Sequence, residues 1–151
     1  MNIFVMRHGQ AEAIALSDSA RKLTTFGKNQ AHQQAIWLKE QNIHFDYALV
    51  SPYERAQQTF SEVNAVFNNS IKAENWEAIT PYGNETLVLD YLQLLKEQGI
   101  NNVLIVSHLP LVGYIVAALC QQRMGVRFAT ATIAEIKWNG TQGTLIQEHE
   151  V

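Results

Sequence analysis

Two arginines and two histidines of this chain each follow a short apolar run, at positions where β-strands are expected to end. Arg7 and His8 follow the first run, Arg55 comes shortly after the second, and His108 follows the third. In an open α/β sheet the carboxyl ends of the strands form the edge where ligands bind. We therefore expect all four side chains to lie at the same edge of the sheet. The three apolar runs that precede them are Ile3 to Met6, Tyr47 to Val50 and Val103 to Val106.

These residue types suit phosphoryl transfer, which needs cations around the transferred group and a nucleophile in line with the leaving group. The guanidinium groups of Arg7 and Arg55 each present a planar fork of donors that matches phosphate oxygens. A neutral imidazole can be the nucleophile, and the neighbouring arginines favour the neutral form electrostatically. Spacing alone leaves open whether His8 or His108 attacks.

Each of these residues also has an ordinary structural explanation. His8 could be bonded by backbone groups at a strand end, Arg55 could be a solvated helix residue, and His108 could cap a helix near Pro110. Singly these explanations are the simpler ones, but three successive strand ends together favour a shared site. A zinc site is a weaker alternative, because the two histidines have no third ligand at a typical spacing.

The order of the predicted elements indicates an α/β fold. Strands alternate with helices up to a final hairpin, whose turn is the dipeptide Asn139-Gly140. This pattern predicts a three-layer α/β/α sandwich in one domain over residues 1–151, with a mostly parallel sheet and an antiparallel edge. After the first apolar run, strands are predicted over Phe45 to Val50, Lys72 to Trp76, Asn102 to Val106, Ile133 to Trp138 and Thr144 to Gln147.

Four helices are expected between these strands. Thr24 or Thr25 can cap the first, and proline begins the second and the fourth, where its missing N–H costs least. The helices are predicted over Lys28 to Gln41, from Pro52, from Asn84 or Thr86 to Gln98, and from Pro110. In the third helix we expect a buried stripe made of Leu87, Tyr91, Leu94 and Leu95.

Composition and charge exclude several classes of protein. The 151 residues suffice for one domain, 47% of them are apolar, and the net charge of −3 gives no basic footprint for nucleic acid. The longest apolar stretch, Leu111 to Cys120, is about half of what spans a bilayer, and the first residues lack a signal-peptide pattern. Cys120 is the only cysteine, which fits a reducing compartment. We therefore expect a cytoplasmic protein that binds neither membranes nor nucleic acid.

Four short segments carry a further signal: Arg7-His8-Gly9, Leu23 to Ala31, Ser51 to Thr59 and Val106-Ser107-His108. In this order they resemble the motifs of the histidine phosphatase superfamily, which is also called phosphoglycerate-mutase-like. The segment from Ser107 to Gly113 is similar to the small phosphohistidine phosphatase branch, the SixA type. The resemblance covers essentially the whole chain and implies the phosphoglycerate-mutase-like fold.

The resemblance also implies a role for each candidate residue. His8 would be the nucleophile and would be phosphorylated transiently, while Arg7, Arg55 and His108 would form the phosphate pocket. A cationic His108 would stabilise charge on the transferring group. Arg21 matches an arginine that this branch places beside the pocket. Neither a metal nor a cofactor is implied.

The interval from Arg55 to His108 holds only the elements predicted above, so it has no room for the helical cap that larger members insert there. An open groove is therefore expected, which admits a phosphorylated side chain of a protein better than it holds a small free ligand. Glu77 is the candidate general acid in this interval, and an ordinary surface carboxylate is its alternative explanation. An imidazole leaving group needs such an acid less than a sugar alkoxide does.

The sequence thus predicts a phosphohistidine phosphatase that needs no cofactor and no metal. The expected substrate is a phosphohistidine-bearing signalling protein, namely a phosphotransfer domain or carrier of a phosphorelay, and the product is inorganic phosphate. Two alternatives stay open: a phosphatase for small phosphate monoesters, and a phosphohistidine-binding module without turnover.

Overall fold

The computed structural model describes residues 1–121 and 126–151, in which a six-stranded sheet is flanked by four α-helices. The strands are β1 (Asn2–Arg7), β2 (Tyr47–Val50), β3 (Ala73–Asn75), β4 (Asn102–Ser107), β5 (Ile133–Trp138) and β6 (Gly143–His149). The helices are α1 (Thr25–Glu40), α2 (Glu54–Val66), α3 (Glu85–Glu97) and α4 (Leu111–Cys120). Residues 122–125 of the predicted single domain lie outside the described residues.

The sheet is parallel over four neighbouring strands and antiparallel at one edge. Its strand order is β3-β2-β4-β1-β5-β6. The first four of these strands run in one direction, whereas β5 pairs antiparallel with β1 and β6 pairs antiparallel with β5. The predicted mixed sheet is therefore confirmed.

Each face of the sheet has its own hydrophobic core, because successive residues of a strand point to opposite faces. Ile3 and Val5 of β1 belong to the core that α3 and α4 complete. Phe4 and Met6 belong to the core that α1 and α2 complete. The two cores together confirm the three-layer α/β/α sandwich.

The strand order brings the carboxyl ends of β2, β4 and β1 together. Arg7 at the end of β1 lies opposite Ser107 at the end of β4. Val50 at the end of β2 lies opposite Val106 of β4. The loops that follow these three strands therefore start at one edge of the sheet, as the sequence predicted.

Helix α1 begins earlier than predicted, at Thr25 rather than at Lys28. The hydroxyl of Thr24 accepts a hydrogen bond from the backbone N–H of Gly27 at 2.9 Å, so Thr24 is the N-cap. The cap outweighs the low helix propensity of the threonine and the glycine in the first turn.

Helix α2 begins later than predicted, at Glu54 rather than at Pro52. Residues 51–53 form a turn, in which the hydroxyl of Ser51 accepts a hydrogen bond from the backbone N–H of Tyr53 at 3.3 Å. The delayed start places Arg55 in the first turn of the helix, next to the end of β2.

The buried face of α3 differs from the predicted stripe. Leu87 and Leu94 are 51% and 46% exposed, so their assignment to the core is wrong. The residues that α3 buries are Val88, Leu92 and Leu95. Apolar residues occupy most of this helix. The predicted residues and the buried ones therefore both recur at helical spacing, and the spacing alone does not distinguish them.

The final hairpin has its turn at the predicted dipeptide. Gly140 has a φ of 99°, a left-handed conformation that favours glycine. The side chain of Asn139 accepts hydrogen bonds from the backbone N–H groups of Thr141 and Gln142, so the loop has four residues rather than two. No helix among the described residues is long and apolar enough to cross a membrane.

Candidate active site

His8 follows β1, and its imidazole ring is fixed from two sides. Nδ1 lies 2.7 Å from the carbonyl oxygen of Gly9, which can only accept, so Nδ1 carries a proton. Nε2 lies 3.3 Å from Nε of Arg55, which can only donate, so Nε2 is unprotonated. The two contacts select the tautomer in which Nε2 can act as a nucleophile.

Arg55 is buried beside His8 and bonds to one loop residue through both terminal nitrogens. Its Nη1 donates to the backbone carbonyl oxygen of Asp18 at 2.6 Å, and its Nη2 donates to the Asp18 carboxylate at 3.2 Å. The Arg55 side chain is only 5% exposed. Because a guanidinium group stays protonated in proteins, Arg55 places a permanent positive charge next to the imidazole.

His108 follows β4 and lies against His8, with the ring centroids 5.1 Å apart. Its Nε2 is 2.7 Å from the hydroxyl oxygen of Ser51, which directly follows β2. Its Nδ1 is buried and has no hydrogen-bond partner among the described residues. The serine thus orients the ring, and one ring nitrogen is left for a ligand.

Arg7 ends β1, and its Nη1 donates to the backbone carbonyl oxygen of Phe128 at 2.9 Å. Its Nε is buried without a hydrogen-bond partner in the described part of the chain. Burial, and then the charge of Arg55, lower the pKa of Arg7. Two guanidinium groups therefore lie near enough to repel each other, and an anion between them would relieve that repulsion.

Arg21 is connected to the site through Asp18. Its Nη1 donates to one carboxylate oxygen of Asp18 at 3.0 Å, and its Nε donates to the backbone carbonyl oxygen of Glu12 at 2.7 Å. The other carboxylate oxygen of Asp18 bonds to Arg55. One carboxylate therefore links the two arginines, and Arg21 lies beside the pocket.

Two glycines fix the loop that carries His8. A Cβ on Gly9 would overlap the backbone of Gly27, and a Cβ on Gly27 would overlap the backbone of Gln10. The N–H of Gly9 also donates to the hydroxyl of Thr59 in α2 at 3.0 Å. Close packing of the loop against α1 and α2 explains why both positions are glycine.

Both imidazoles of the site are neutral at pH 7. Burial lowers the pKa of His8 from 6.5 to about 4, aided by three nearby arginines and opposed by the hydrogen bond to Gly9. Burial, followed by the proximity of His8 and Arg55, lowers the pKa of His108 further still. A neutral His8 suits a nucleophile. In the protein alone the lowered pKa favours a neutral His108. The cationic His108 that the resemblance implies stays a prediction for the phosphate-bound state, in which a phosphoryl dianion would raise its pKa.

Glu77 is the first residue of the short 3-10 turn Glu77–Ile79 and is exposed. The turn lies at the same sheet edge, because the hydroxyl of Ser107 donates to the carbonyl oxygen of Ile79 at 2.7 Å. Within the described residues Glu77 forms no ion pair, and its role as a general acid stays a prediction. In the same residues no three His, Cys, Asp or Glu side chains are grouped to hold a metal ion.

Together the four predicted side chains form an electropositive pocket around Nε2 of His8. Nε of Arg7 and Nδ1 of His108 have no hydrogen-bond partner among the described residues, so both atoms are available to bind a polar ligand. The guanidinium groups can bind the equatorial oxygens of a phosphoryl group while Nε2 attacks its phosphorus atom. The arrangement is therefore suited to phosphoryl transfer through a histidine.

Sequence reasoning missed three contributors to this pocket: Ser51, Thr59 and the carboxylate of Asp18. Ser51 and Thr59 lie at the two ends of the segment Ser51 to Thr59, but nothing in their spacing identifies the groups that they bond. Asp18 lies outside every motif of the sequence, so no pattern marks it as a site residue. Its contact with Arg55 joins residues 37 positions apart, and no local pattern indicates such a contact.

Comparison with known proteins identifies a family model and relatives that agree with one another. Residues 3–80 match the family model of the histidine phosphatase superfamily (branch 1). A Haemophilus influenzae protein named phosphohistidine phosphatase SixA homologue is 50% identical over 153 residues, which cover 97% of this chain and 93% of the relative. Phosphohistidine phosphatase SixA of Escherichia coli is 46% identical over 136 residues, which cover 90% of this chain and 84% of the relative.

A solved structure of the protein histidine phosphatase SixA complexed with tungstate has the same fold. It superimposes with a TM-score of 0.95 at 42% sequence identity, and the match covers 99% of this chain and 97% of the other. The similarity thus extends beyond the family model to the half of the chain that contains His108. The chain belongs to the histidine phosphatase superfamily, in its small SixA-type branch.

Proposed function

We propose that this protein is a phosphohistidine phosphatase, which hydrolyses a phosphohistidine of a phosphotransfer domain or carrier in a phosphorelay. The observation that carries the proposal is the unprotonated Nε2 of His8, held 3.3 Å from Nε of Arg55 inside an electropositive pocket. A module that only binds phosphohistidine would need the cations but no such nucleophile.

The reaction has two steps. In the first, Nε2 of His8 attacks the phosphorus atom, and the bond from phosphorus to the substrate ring nitrogen breaks. Arg7, Arg55 and His108 bind the phosphoryl oxygens and stabilise the charge that develops on them. In the second step, water attacks the phosphorus atom on His8, the bond from phosphorus to Nε2 breaks, and His8 returns to neutral imidazole as inorganic phosphate is released. Neither step uses a cofactor or a metal.

The relatives support the choice of substrate. Two curated relatives are named phosphohistidine phosphatases, and the solved SixA structure holds tungstate, a tetrahedral oxyanion with the shape of phosphate. The pocket residues of this chain are the ones such an anion requires: two guanidinium groups and two imidazoles.

The surroundings of the pocket favour a protein as the bearer of the phosphoryl group. Between Arg55 and His108, all of which the structure describes, the elements belong to the sandwich and none forms a cap. Exposed apolar side chains are close to site residues: Ile14, which is 89% exposed, lines a surface depression with Asp18 and Arg21, and Leu109, which is 44% exposed, directly follows His108. Exposed apolar residues around an open pocket are typical of a macromolecular interface.

The test is phosphate release from a histidine-phosphorylated phosphotransfer domain, compared with a panel of small phosphate monoesters, in the presence and absence of a chelator. We expect fast release from the phosphoprotein, no effect of the chelator, and no release by His8→Ala. Preferential hydrolysis of small esters would make the protein a general phosphomonoesterase. Tight binding without release from any substrate would make it a binding module.

A further inference from the structure

The Asp18 carboxylate lies where a phosphoryl group would need the donors of Arg55. One of its oxygens accepts from Nη2 of Arg55 at 3.2 Å, and the other accepts from Nη1 of Arg21 at 3.0 Å. Arg21, and then Arg55, hold the pKa of this carboxyl group below its usual range, so it is ionised at neutral pH. A negative charge is thus built into the phosphate pocket.

Phosphate binding must displace this carboxylate in part. The Arg55 side chain is 5% exposed and the Asp18 side chain is 49% exposed, so the aspartate is the partner that can move. Once Nη2 of Arg55 turns to a phosphoryl oxygen, one carboxylate oxygen of Asp18 loses its donor. The backbone bond from Nη1 of Arg55 to the Asp18 carbonyl, at 2.6 Å, keeps the loop in place.

The Asp18 carboxylate is the part of this network that a leaving group can reach from solvent. His8 is buried, and in-line attack expels the leaving group in the direction away from Nε2. Asp18 and Arg21 are 49% and 30% exposed, so theirs are the solvent-facing side chains around the buried Arg55. A surface depression next to them is large enough for an aromatic ring and is lined by Ala13, Ile14, Ala15, Ser17, Asp18 and Arg21.

A phosphohistidine leaving group offers a matching donor. Its unphosphorylated ring nitrogen can carry a proton, and a carboxylate next to that nitrogen favours the protonated form. We propose that Asp18 binds this N–H of the substrate ring and holds the ring protonated while the nitrogen–phosphorus bond breaks. The inference rests on the proposed function, and it makes Asp18 the residue that selects the class of leaving group.

The step balances without a proton donor from the enzyme. The electron pair of the nitrogen–phosphorus bond returns to the substrate ring, whose positive charge disappears, and the ring leaves as neutral imidazole. The ring of His8 takes up the phosphoryl group and the positive charge. Its own N–H is held by the carbonyl oxygen of Gly9 at 2.7 Å, so the donor and acceptor rings are bound in equivalent ways.

The built-in charge also works against other substrates. A leaving group that carries a carboxylate or a second phosphate would lie against the Asp18 carboxylate, which can only accept hydrogen bonds and offers such a group no donor. An alkoxide would leave without the proton it needs, because an ionised carboxylate cannot supply one. Asp18 therefore favours phosphoramidates of imidazole over phosphate esters of acidic metabolites.

The test compares Asp18→Asn with the matched control Asp90→Asn, which removes the same charge from the exposed face of α3. The probes are 1-phosphoimidazole, whose leaving group has the second ring nitrogen, and p-nitrophenyl phosphate, whose leaving group departs as an anion. For Asp18→Asn we expect the ratio of kcat/KM on phosphoimidazole to that on p-nitrophenyl phosphate to fall about 10- to 100-fold, as for the loss of a hydrogen bond to a charged group. The control should keep the ratio of the wild type.

Vanadate binding separates this role from a structural one. If Asp18 competes with the phosphoryl group, Asp18→Asn should bind vanadate as tightly as the wild type or more tightly. A weaker vanadate affinity and an unchanged substrate ratio would show that Asp18 only positions Arg55, and would overturn the inference. If the wild type itself releases no phosphate from phosphoimidazole or from a phosphohistidine-bearing domain, the proposed function fails as well.

Discussion

Nε of Arg55 lies 3.3 Å from Nε2 of His8, so a permanently charged group donates a hydrogen bond to the nitrogen atom that attacks in the proposed mechanism. The contact keeps Nε2 unprotonated, because a protonated ring would place two positive donors against each other. It must break as the bond to phosphorus forms, and the guanidinium group then has donors for the phosphoryl oxygens. In the proposed mechanism Arg55 thus positions the nucleophile first and binds the transferred group afterwards.

Replacement of Arg55 should therefore affect anion binding more than a charge change outside the pocket does. For Arg55→Ala we expect vanadate affinity to fall by at least roughly 100-fold, because hydrogen bonds to charged groups are worth about 1.5–3 kcal/mol each. Arg55→Lys should lie between the alanine variant and the wild type, since lysine keeps the charge and loses the planar fork. Calorimetric titration with vanadate measures both.

Lys72→Ala is the control for the loss of one positive charge, because Lys72 is exposed at the other end of the sheet, just before β3. If Lys72→Ala weakened vanadate binding as much as Arg55→Ala does, long-range charge rather than the fork of Arg55 would explain the affinity.

The burial of His8 has a consequence for stability. Its pKa is 6.5 ordinarily and about 4 in the folded protein, so between these values the unfolded chain binds more protons than the folded one. The free energy of unfolding should therefore decrease as the pH falls from 6.5 towards 4, by on the order of 3 kcal/mol from this residue. Urea unfolding at several pH values should show a shallower slope for His8→Asn, and an unchanged slope would contradict the buried neutral imidazole.

The position of the site, at the carboxyl ends of the parallel strands, could be predicted from the sequence. Local patterns indicate where each strand ends and that the strands run parallel. Arg7, His8, Arg55 and His108 were found in this way. The charge of His108 could not be predicted from the sequence, since it depends on burial and on neighbours from other loops. The prediction of the buried face of α3 was wrong for another reason. Apolar residues are so frequent in this helix that two stripes are possible, and only packing against α4 selects one.

The glycine at position 27 should be intolerant of any side chain. A Cβ there would overlap the backbone of Gln10, so Gly27→Ala should destabilise the protein by about 1–3 kcal/mol and displace the loop that carries His8. Gly113→Ala is the matched control, because no described atom outside its own helix backbone and chain neighbours lies within 4 Å of its Cβ. In helix α4 it should stabilise by about 0.5–1 kcal/mol. Thermal melting of both variants distinguishes the outcomes, and equal melting temperatures would refute the close approach.

The role of Glu77 can be tested by comparing the turnover of substrates that have different leaving groups. If it is a general acid, Glu77→Gln should lower turnover of a sugar phosphate by about 100-fold or more, while a phosphohistidine substrate, whose ring leaves as neutral imidazole, should lose far less. Glu97→Gln, an exposed change at the end of α3, is the control. Equal losses on both substrates would remove Glu77 from the mechanism.

The most direct test of the account is the identification of the phosphorylated enzyme residue. Substrate with a radioactive phosphoryl group is mixed with the enzyme, the reaction is quenched with alkali within milliseconds, and the labelled peptide is sequenced. The proposed mechanism requires an acid-labile, alkali-stable phosphate on His8 that forms and decays at rates compatible with turnover, and none in His8→Ala. A label on His108, or full activity in His8→Ala, would contradict the assignment of His8 as the nucleophile.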